Sequence, residues 1–160
     1  KYRPGHFQGV CAVMHKLLSL VNTDKLFMGQ KDYQQCMVIK KMMTLTGIKA
    51  EFVACPTQRE PNGLARSSRN MRLSPSAIEK AAAIFNALTF IKNNINHLSS
   101  ESCIHKAKEM ILSAGFDKID YTDICNAETL EPVINRDEPS VALVAAFIEG
   151  VRLIDNMLLD

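Results

Sequence analysis

The sequence predicts an α/β fold followed by a smaller α+β domain. Over the first 55 residues, apolar side chains recur in the order helix, strand, helix, strand, which is typical of a parallel α/β sheet. After Pro56 the order changes to two helices followed by three strands, which favours helices packed on a small antiparallel sheet. We therefore expect two domains, residues 1–57 and 58–160, with the boundary near residues 56–60.

The first half of the chain is expected to hold two helices and two strands. Residues 8–21 carry apolar side chains at helical spacing, and residues 26–28 form a short apolar run typical of a buried strand. A second helix is predicted over residues 33–45, and Gly47 is suited to end it. The run from 48 to 55 then predicts a second strand, which Pro56 ends.

The second half opens with two predicted helices. Ser74 is a helix N-cap followed by Pro75 at the first helical position, and Ser99 opens the next helix, which stops at Gly115. The expected inward faces are Ile78, Ala82, Phe85 and Leu88 on the first helix and Ile104, Ala107, Met110 and Ile111 on the second.

Three strands complete the prediction, over residues 118–125, 140–148 and 151–158. Residues 149–150, Glu-Gly, lie between the last two and predict a tight hairpin turn.

The composition excludes several classes of function. Apolar residues are 47% and charged residues 22% of the chain, as in globular proteins. The net charge of +2 is too small to indicate nucleic-acid or membrane binding. The longest apolar run, residues 141–148, is too short to cross a bilayer.

Cysteine and histidine spacing argues against metal and disulfide frameworks. The five cysteines are scattered without a Cys-x-x-Cys pair, and the four histidines lack ligand spacing. Reduced thiols in a cytoplasmic protein are therefore expected, with no metal held by protein ligands. Because the chain begins at Lys1 rather than Met, we expect it to be part of a longer protein.

Gly29-Gln30-Lys31-Asp32 follows the first strand and is the earlier of two candidate anion-binding segments. Ligands of open α/β sheets bind beyond the carboxyl ends of strands, where a glycine permits close approach and the next helix presents free N–H groups. Lys31 would add a charge near phosphate. The alternative is an ordinary turn with Asp32 as N-cap, and the spacing alone favours it.

Gln34 and Gln35 come next, and on a helix they point to different sides. At most one of them can face a site at the end of the strand, where an amide could bind a carboxylate or hydroxyl. A solvated first turn is an equally good interpretation from the sequence.

The second candidate segment is Ser67-Ser68-Arg69-Asn70, which follows a turn-forming run at residues 59–63. Two hydroxyls, a guanidinium and an amide in four residues suit an anion, since arginine offers a planar fork for phosphate oxygens. The alternative is a flexible polar loop whose serines cap a turn. Serine nucleophile chemistry is disfavoured because no Gly-x-Ser-x-Gly elbow is present.

Taken in order, these segments resemble one enzyme family. The shared motifs are Arg-Pro-Gly-His-Phe-x-Gly-Val at 3–10, Phe-Met-Gly-Gln-Lys-Asp-Tyr-Gln-Gln at 27–35, Pro-Thr-x-Arg-Glu at 56–60, Gly-Leu-Ala-x-Ser-Ser-Arg-Asn at 63–70, Leu-Val-Ala-Ala at 143–146 and Arg-Leu-Ile-Asp-Asn at 152–156. Each motif is weak by itself, but the ordered set is specific and covers essentially the whole chain. It resembles the pantothenate synthetase (pantoate–β-alanine ligase) family.

The resemblance implies an ATP-dependent ligase of the nucleotidyltransferase superfamily, acting in coenzyme A biosynthesis. Pantoate would attack the α-phosphate of ATP to give pantoyl adenylate and pyrophosphate. β-Alanine would then attack the acyl carbon to give pantothenate and AMP. Mg²⁺ accompanies the triphosphate, and the full-length enzymes are expected to be homodimers.

The resemblance also implies residue roles. Gly29, Gln30, Lys31 and Asp32 would contact ATP, and Gln35 would bind pantoate. Gln58 would touch adenine, while Arg66, Ser67, Ser68 and Arg69 match a loop over the β- and γ-phosphates. Lys31, Ser67, Ser68 and Arg69 would be the catalytic set. Gln30 and Arg66 depart from the residues usual in the family.

The family pattern also includes an earlier strand, a His-x-Gly-His-like segment and acidic residues near Mg²⁺, and the chain contains none of them. We therefore expect it to be the C-terminal part of a Rossmann-like nucleotidyltransferase sheet plus a lid domain, inactive by itself. Two alternatives remain open: a non-catalytic lid or interaction module, and a related ligase that activates a different acid.

Overall fold

A computed structural model of the protein describes residues 5–133 and 137–159. The chain forms two compact units, Lys1–Pro56 and Thr57–Asp160. Both units combine helices and strands, as the predicted α/β class requires.

The first unit has the predicted helix, strand, helix, strand order. Its elements are α1 (His6–Leu20), β1 (Lys25–Gly29), a 3₁₀ turn (Gln30–Asp32), α2 (Tyr33–Thr46) and β2 (Glu51–Cys55). The two strands are parallel, with Gly29 opposite Cys55, and α2 is the connection between them.

The prediction that β2 begins at residue 48 is wrong by three residues, and the end of α2 explains the difference. Gly47 is left-handed, with a φ of 71°. Its N–H donates to the carbonyl of Thr44, and the N–H of Ile48 donates to that of Met43. This is a Schellman ending, in which Ile48 packs back on the buried side chains of α2 instead of entering the strand.

The small core of the first unit lies under α2. Ile39, Met42 and Met43 are buried there, and Val10, Met14, Leu18, Met28 and Phe52 are among the partly buried side chains that pack on them. The helix predicted over residues 8–21 is confirmed, but only some of its apolar residues pack on this core. Val13, Leu17 and Leu20 are exposed.

The second unit contains a 3₁₀ turn, three helices and three strands. These are the 3₁₀ turn Ser68–Arg72, α3 (Pro75–Ala81), α4 (Ala83–Asn94), α5 (Ser100–Ser113), β3 (Lys118–Asn126), β4 (Ser140–Ile148) and β5 (Val151–Leu158). The strands form an antiparallel sheet in the order β3-β4-β5, which confirms the predicted sheet.

The single helix predicted after Ser74 is two helices, and its inward face differs from the prediction. Ser74 caps α3 by accepting from the N–H of Ala77, as expected, but α3 ends at Ala81 and α4 starts at Ala83. Ala82 and Phe85 are only partly buried. Leu88 is buried as predicted, and Ala77, Ala81, Ile84 and Ile91 are buried with it, because the helices turn this adjoining stripe toward the sheet.

In α5, capped by the side chain of Ser99, Ala107 and Ile111 are buried as predicted. Cys103 is also buried, whereas Ile104 and Met110 are only partly buried.

β4 is the central strand, and six consecutive residues, 141–146, are buried. The predicted hairpin turn joins it to β5: Glu149 and Gly150 have φ values of 50° and 70°. Two positive φ values at the centre of a two-residue loop define the type I′ geometry that suits twisted strands.

Over residues 5–133 and 137–159, no helix is both long and apolar enough to span a membrane.

Candidate functional site

The first candidate segment, residues 29–32, lies at the carboxyl end of β1. Gly29 closes the strand, residues 30–32 make the 3₁₀ turn, and Tyr33 starts α2. A Cβ added to Gly29 would meet no atom within 4 Å, so the space beside this backbone is open on the described chain. Asp32 holds the N-cap position of α2, as the alternative interpretation expected, but its side chain makes no capping hydrogen bond.

Gln35 and its neighbour Gln34 lie in the first turn of α2, and both are partly buried. Gln30 and Lys31 are also partly buried, while Asp32, at the start of the helix, is exposed. The structure therefore brings Gly29, Gln30, Lys31, Asp32 and Gln35 together around one strand end. Their roles in ligand binding stay predictions.

Cys36 supports this strand end, and nothing in the sequence pattern indicated that role. Its thiol is fully buried and donates to the carbonyl of Gly29, with an Sγ–O distance of 3.4 Å. Burial, with the nearby Asp32 carboxylate as a smaller cause, raises the pKa of Cys36 from 9.0 to about 11. The thiol therefore stays protonated at neutral pH and keeps its proton for the Gly29 carbonyl.

The second candidate segment begins with a short antiparallel hairpin, here the 58–66 hairpin. Arg59 pairs with Ala65, the N–H of Arg66 donates to the carbonyl of Gln58, and that of Glu60 donates to Leu64. The turn of this hairpin is Glu60-Pro61-Asn62-Gly63, with proline in the second position and glycine in the fourth. The N–H of Gly63 donates to the carbonyl of Glu60 and closes the turn.

Residues 67–70, here the 67–70 turn, follow the hairpin directly. Ser67 accepts from the N–H of Arg69 through its hydroxyl at 3.3 Å, and its carbonyl accepts from the N–H of Asn70 at 3.0 Å. The Asn70 amide donates to the carbonyl of Ala65 at 3.0 Å, which ties the turn back to the hairpin. The turn is held by these bonds, and Ser67 caps it, as the alternative interpretation expected of the serines.

Two predicted donors on this turn have no partner among the residues that the structure describes. Among the described residues, the hydroxyl of Ser68 and the guanidinium of Arg69 make no hydrogen bond or ion pair. A fixed backbone carrying unengaged donors is what binding an anion requires.

Arg66 differs from Arg69, because its guanidinium lies 3.2 Å from the Glu60 carboxylate across the hairpin. Both side chains are exposed, so this pair contributes little to stability and is open to exchange for another anion. Gln58, the first residue of the 58–66 hairpin, is exposed.

The hairpin is anchored by a charge pair that the sequence reasoning missed. Arg59 donates through Nη1 and Nη2 to the two carboxylate oxygens of Asp155, at 2.6 and 3.1 Å. The Asp155 side chain is only 4% exposed. A signal was present: a carboxylate at a core-facing position of an apolar strand needs a cation partner, since charged groups are rarely buried unpaired.

The described residues offer no metal site built from protein side chains. Within residues 5–133 and 137–159, no group of three or more histidine, cysteine, aspartate or glutamate residues could hold an ion. The described residues therefore do not fit a dedicated Mg²⁺ site.

Comparison with known proteins gives one consistent result. A sequence model of the family described as pantoate-β-alanine ligase matches residues 1–158. The pantothenate synthetases of Thermotoga petrophila and Caldicellulosiruptor bescii are each 42% identical, over 98% and 100% of this chain respectively. The chain spans 57% of the length of each of these relatives.

Solved structures agree. The pantothenate synthetase of Thermus thermophilus superposes with a TM-score of 0.91 at 36% identity, covering 98% of this chain and 57% of that one. The pantoate-β-alanine ligase of Francisella tularensis, complexed with β-γ ATP and β-alanine, superposes with a TM-score of 0.72 at 35% identity. That match covers 98% of this chain and 52% of the Francisella chain. From the family match and these relatives, the chain belongs to the pantoate–β-alanine ligase family.

Proposed function

We propose that the protein joins pantoate to β-alanine with the consumption of ATP. The observation that carries this proposal is the preformed 67–70 turn, with the donors of Ser68 and Arg69 unengaged among the described residues, in a chain that belongs to this family. The ATP and β-alanine named for the Francisella ligase support the same substrates here.

The proposed reaction has two steps. A carboxylate oxygen of pantoate attacks the α-phosphorus of ATP, forming a mixed anhydride, and the bond to pyrophosphate breaks. The amine of β-alanine then attacks the acyl carbon, an amide forms, AMP leaves with the anhydride electrons, and the amine proton is lost. The first step builds negative charge on the departing β- and γ-phosphates.

The 67–70 turn would stabilise that charge. We assign Ser67, Ser68 and Arg69 to the β- and γ-phosphates. The hydrogen bonds of this turn hold the donors in place before the ligand arrives. Donors that are fixed in advance stabilise the transition state most where charge develops. Each good donor raises the rate by about 10²–10³-fold. Arg66 would join them by exchanging Glu60 for phosphate.

In the first unit, we assign Gly29, Gln30, Lys31 and Asp32 to ATP and Gln35 to pantoate. The open space at Gly29 supports close approach of a ligand to backbone. Gln58 is assigned to adenine. Mg²⁺ would accompany the triphosphate of ATP, without a dedicated site built from the described side chains.

The test is pyrophosphate release from ATP by the full-length protein. We expect release to depend on pantoate, and R69A to lower kcat/KM for ATP by about 10²-fold, as for loss of one such donor. R72A is the matched control, because Arg72 is an exposed arginine of the same 3₁₀ turn. Activation of another acid in place of pantoate, or equal effects of R69A and R72A, would contradict the proposal.

Three further proposals rest on the same assignment. The 160-residue chain alone is expected to be inactive, since it spans 57% of its relatives' length; turnover by this chain would contradict that. A cytoplasmic location is favoured by five free cysteines, and detection of the native protein in a secreted fraction would contradict it. The full-length protein is also proposed to be a homodimer. A monomeric mass of the full-length protein in solution would contradict that.

A further inference from the structure

Arg59 lies at the centre of the contacts that hold the 58–66 hairpin. Its Nη1 donates to the carbonyl of Gly63 at 3.1 Å as well as to Asp155, so one guanidinium joins the hairpin turn to β5. The guanidinium carbon also lies 4.5 Å from the centre of the Phe85 ring on α4. The hairpin is therefore fastened to a strand and to a helix through one side chain.

Asp155 is fixed in turn. Its Oδ1 accepts from the N–H of Asn156 at 2.9 Å, and its position in β5 is set by pairing with Val144 of β4. A bidentate pair between arginine and a nearly buried carboxylate has a defined orientation, unlike a pair of exposed charges. The guanidinium of Arg59 is therefore held in one orientation.

The contacts of Arg59 continue into the 67–70 turn. Arg59 pairs across the hairpin with Ala65, and the Ala65 carbonyl accepts from the side chain of Asn70. Asn70 in turn donates its backbone N–H to Ser67. A continuous series of contacts therefore runs from Asp155 through Arg59 to the donors of the turn.

We infer that Arg59, oriented by Asp155, is a positioning residue that sets the 67–70 turn for the phosphates of ATP. The inference rests on the proposed function for the identity of the ligand. Arg59 itself contacts no ligand in this assignment; it acts through Ala65 and Asn70. Replacing its fork by a lysine keeps the charge but loses the two parallel bonds to Asp155 and the fixed direction.

A second arginine pair in the same sheet provides the matched control. Arg152 donates from Nε to Asp120 at 2.7 Å, joining β5 to β3, with side chains 29% and 13% exposed against 22% and 4% for Arg59 and Asp155. The contacts described for this pair lie within the sheet, away from the hairpin and the 67–70 turn. R152K therefore reports the effect of weakening a pair in this sheet without touching the turn.

The experiment compares R59K with R152K in the full-length protein by amide hydrogen exchange and by steady-state kinetics. In R59K we expect faster exchange of the Arg69 and Asn70 amides, which bond to Ser67, and a loss of about 10²-fold in kcat/KM for ATP, as for small misplacements of binding groups. In R152K both readouts should match the wild type. D155N, which keeps the shape of the aspartate, replaces R59K should that variant fail to fold.

The outcomes are distinguishable. Unchanged exchange at residues 67–70 in both R59K and D155N overturns the inference, whatever the activity. Faster exchange with unchanged kcat/KM for ATP overturns the positioning role. If the wild type releases no pyrophosphate with pantoate, the proposed function fails, and the exchange comparison still decides whether Arg59 sets the turn.

Discussion

At Gly63 the backbone takes a φ of 90° while the ring of Phe85 lies against its Cα. A Cβ at this position would overlap the ring, approaching Cγ to 2.9 Å, so both the backbone and the space require glycine. Gly150 shares the positive φ, at 70°, but a Cβ there would meet nothing within 4 Å. A comparison of alanine substitutions at the two positions therefore separates the cost of backbone strain from the cost of steric overlap.

We expect G63A to lower the free energy of unfolding by about 2–6 kcal/mol, since strain at positive φ and overpacking each cost about 1–3 kcal/mol. G150A should lower it by about 1 kcal/mol, from strain alone. Urea denaturation monitored by circular dichroism measures both. A G63A variant no less stable than G150A would show that Phe85 moves aside.

Several single-residue features could be read from the sequence, and others could not. Gly47, Ser74 and the Glu149-Gly150 turn each have local signals, because capping and turn geometry depend on neighbouring residues. The partner of Asp155 is 96 positions away, and no local pattern identifies which of many arginines will reach it. The Cys36 bond to Gly29 depends in the same way on how α2 folds back over β1.

At the scale of elements, the start of α3 is bound to the β4–β5 turn through Ser74 and Glu149. The Ser74 backbone N–H and hydroxyl donate to the Glu149 carboxylate at 2.9 and 2.6 Å. These bonds to the charged form lower the pKa of Glu149 below its ordinary 4.5. A carboxylate thus links the N-terminus of a helix to a hairpin.

This contact predicts a pH dependence. Because the folded pKa is lowered, the stabilisation is present above the unfolded value of 4.5 and is lost as pH falls through the lower folded pKa. We expect wild-type stability to fall more steeply than that of E149Q as the pH is lowered below 4.5. Denaturation midpoints against pH measure this, with E79Q on α3 as the charge control. Parallel curves for wild type and E149Q would contradict it.

Element identity was predicted well and element boundaries less well, for physical reasons. Strong periodicity marked α1, α2, α5 and the three strands of the second unit. The division at Ala82 was missed because alanines at residues 81–83 favour a continuous helix, and only packing against the sheet decides which stripe turns inward. The start of β2 was missed because Ile48 is apolar for packing on α2, not for strand pairing.

At the scale of the whole molecule, the two units differ in how much core each contains. The second unit has a continuous cluster from Leu64 to Leu159 that joins three helices to the sheet. In the first, Ile39, Met42 and Met43 form the buried cluster, and no described residue of α1 is fully buried. Independent stability requires enough buried apolar surface to offset chain entropy.

We therefore expect residues 57–160 to fold when expressed alone and residues 1–56 not to. A cooperative thermal transition by calorimetry is the expected result for the larger piece and its absence for the smaller one. Dye binding typical of exposed apolar surface, with no transition, would contradict the prediction for residues 57–160.

The central strand of the second sheet has a consequence for handling the protein. β4 runs Ser-Val-Ala-Leu-Val-Ala-Ala-Phe-Ile, without a charge or a proline, and so has the composition of a segment that self-associates when exposed. In the folded unit both its edges are occupied, by β3 with its Lys118, Asp120 and Asp123 and by β5 with Arg152. Charged outer strands discourage further pairing. Aggregation during refolding should therefore start from chains in which β4 has not yet found its two neighbours, and dilution should favour recovery.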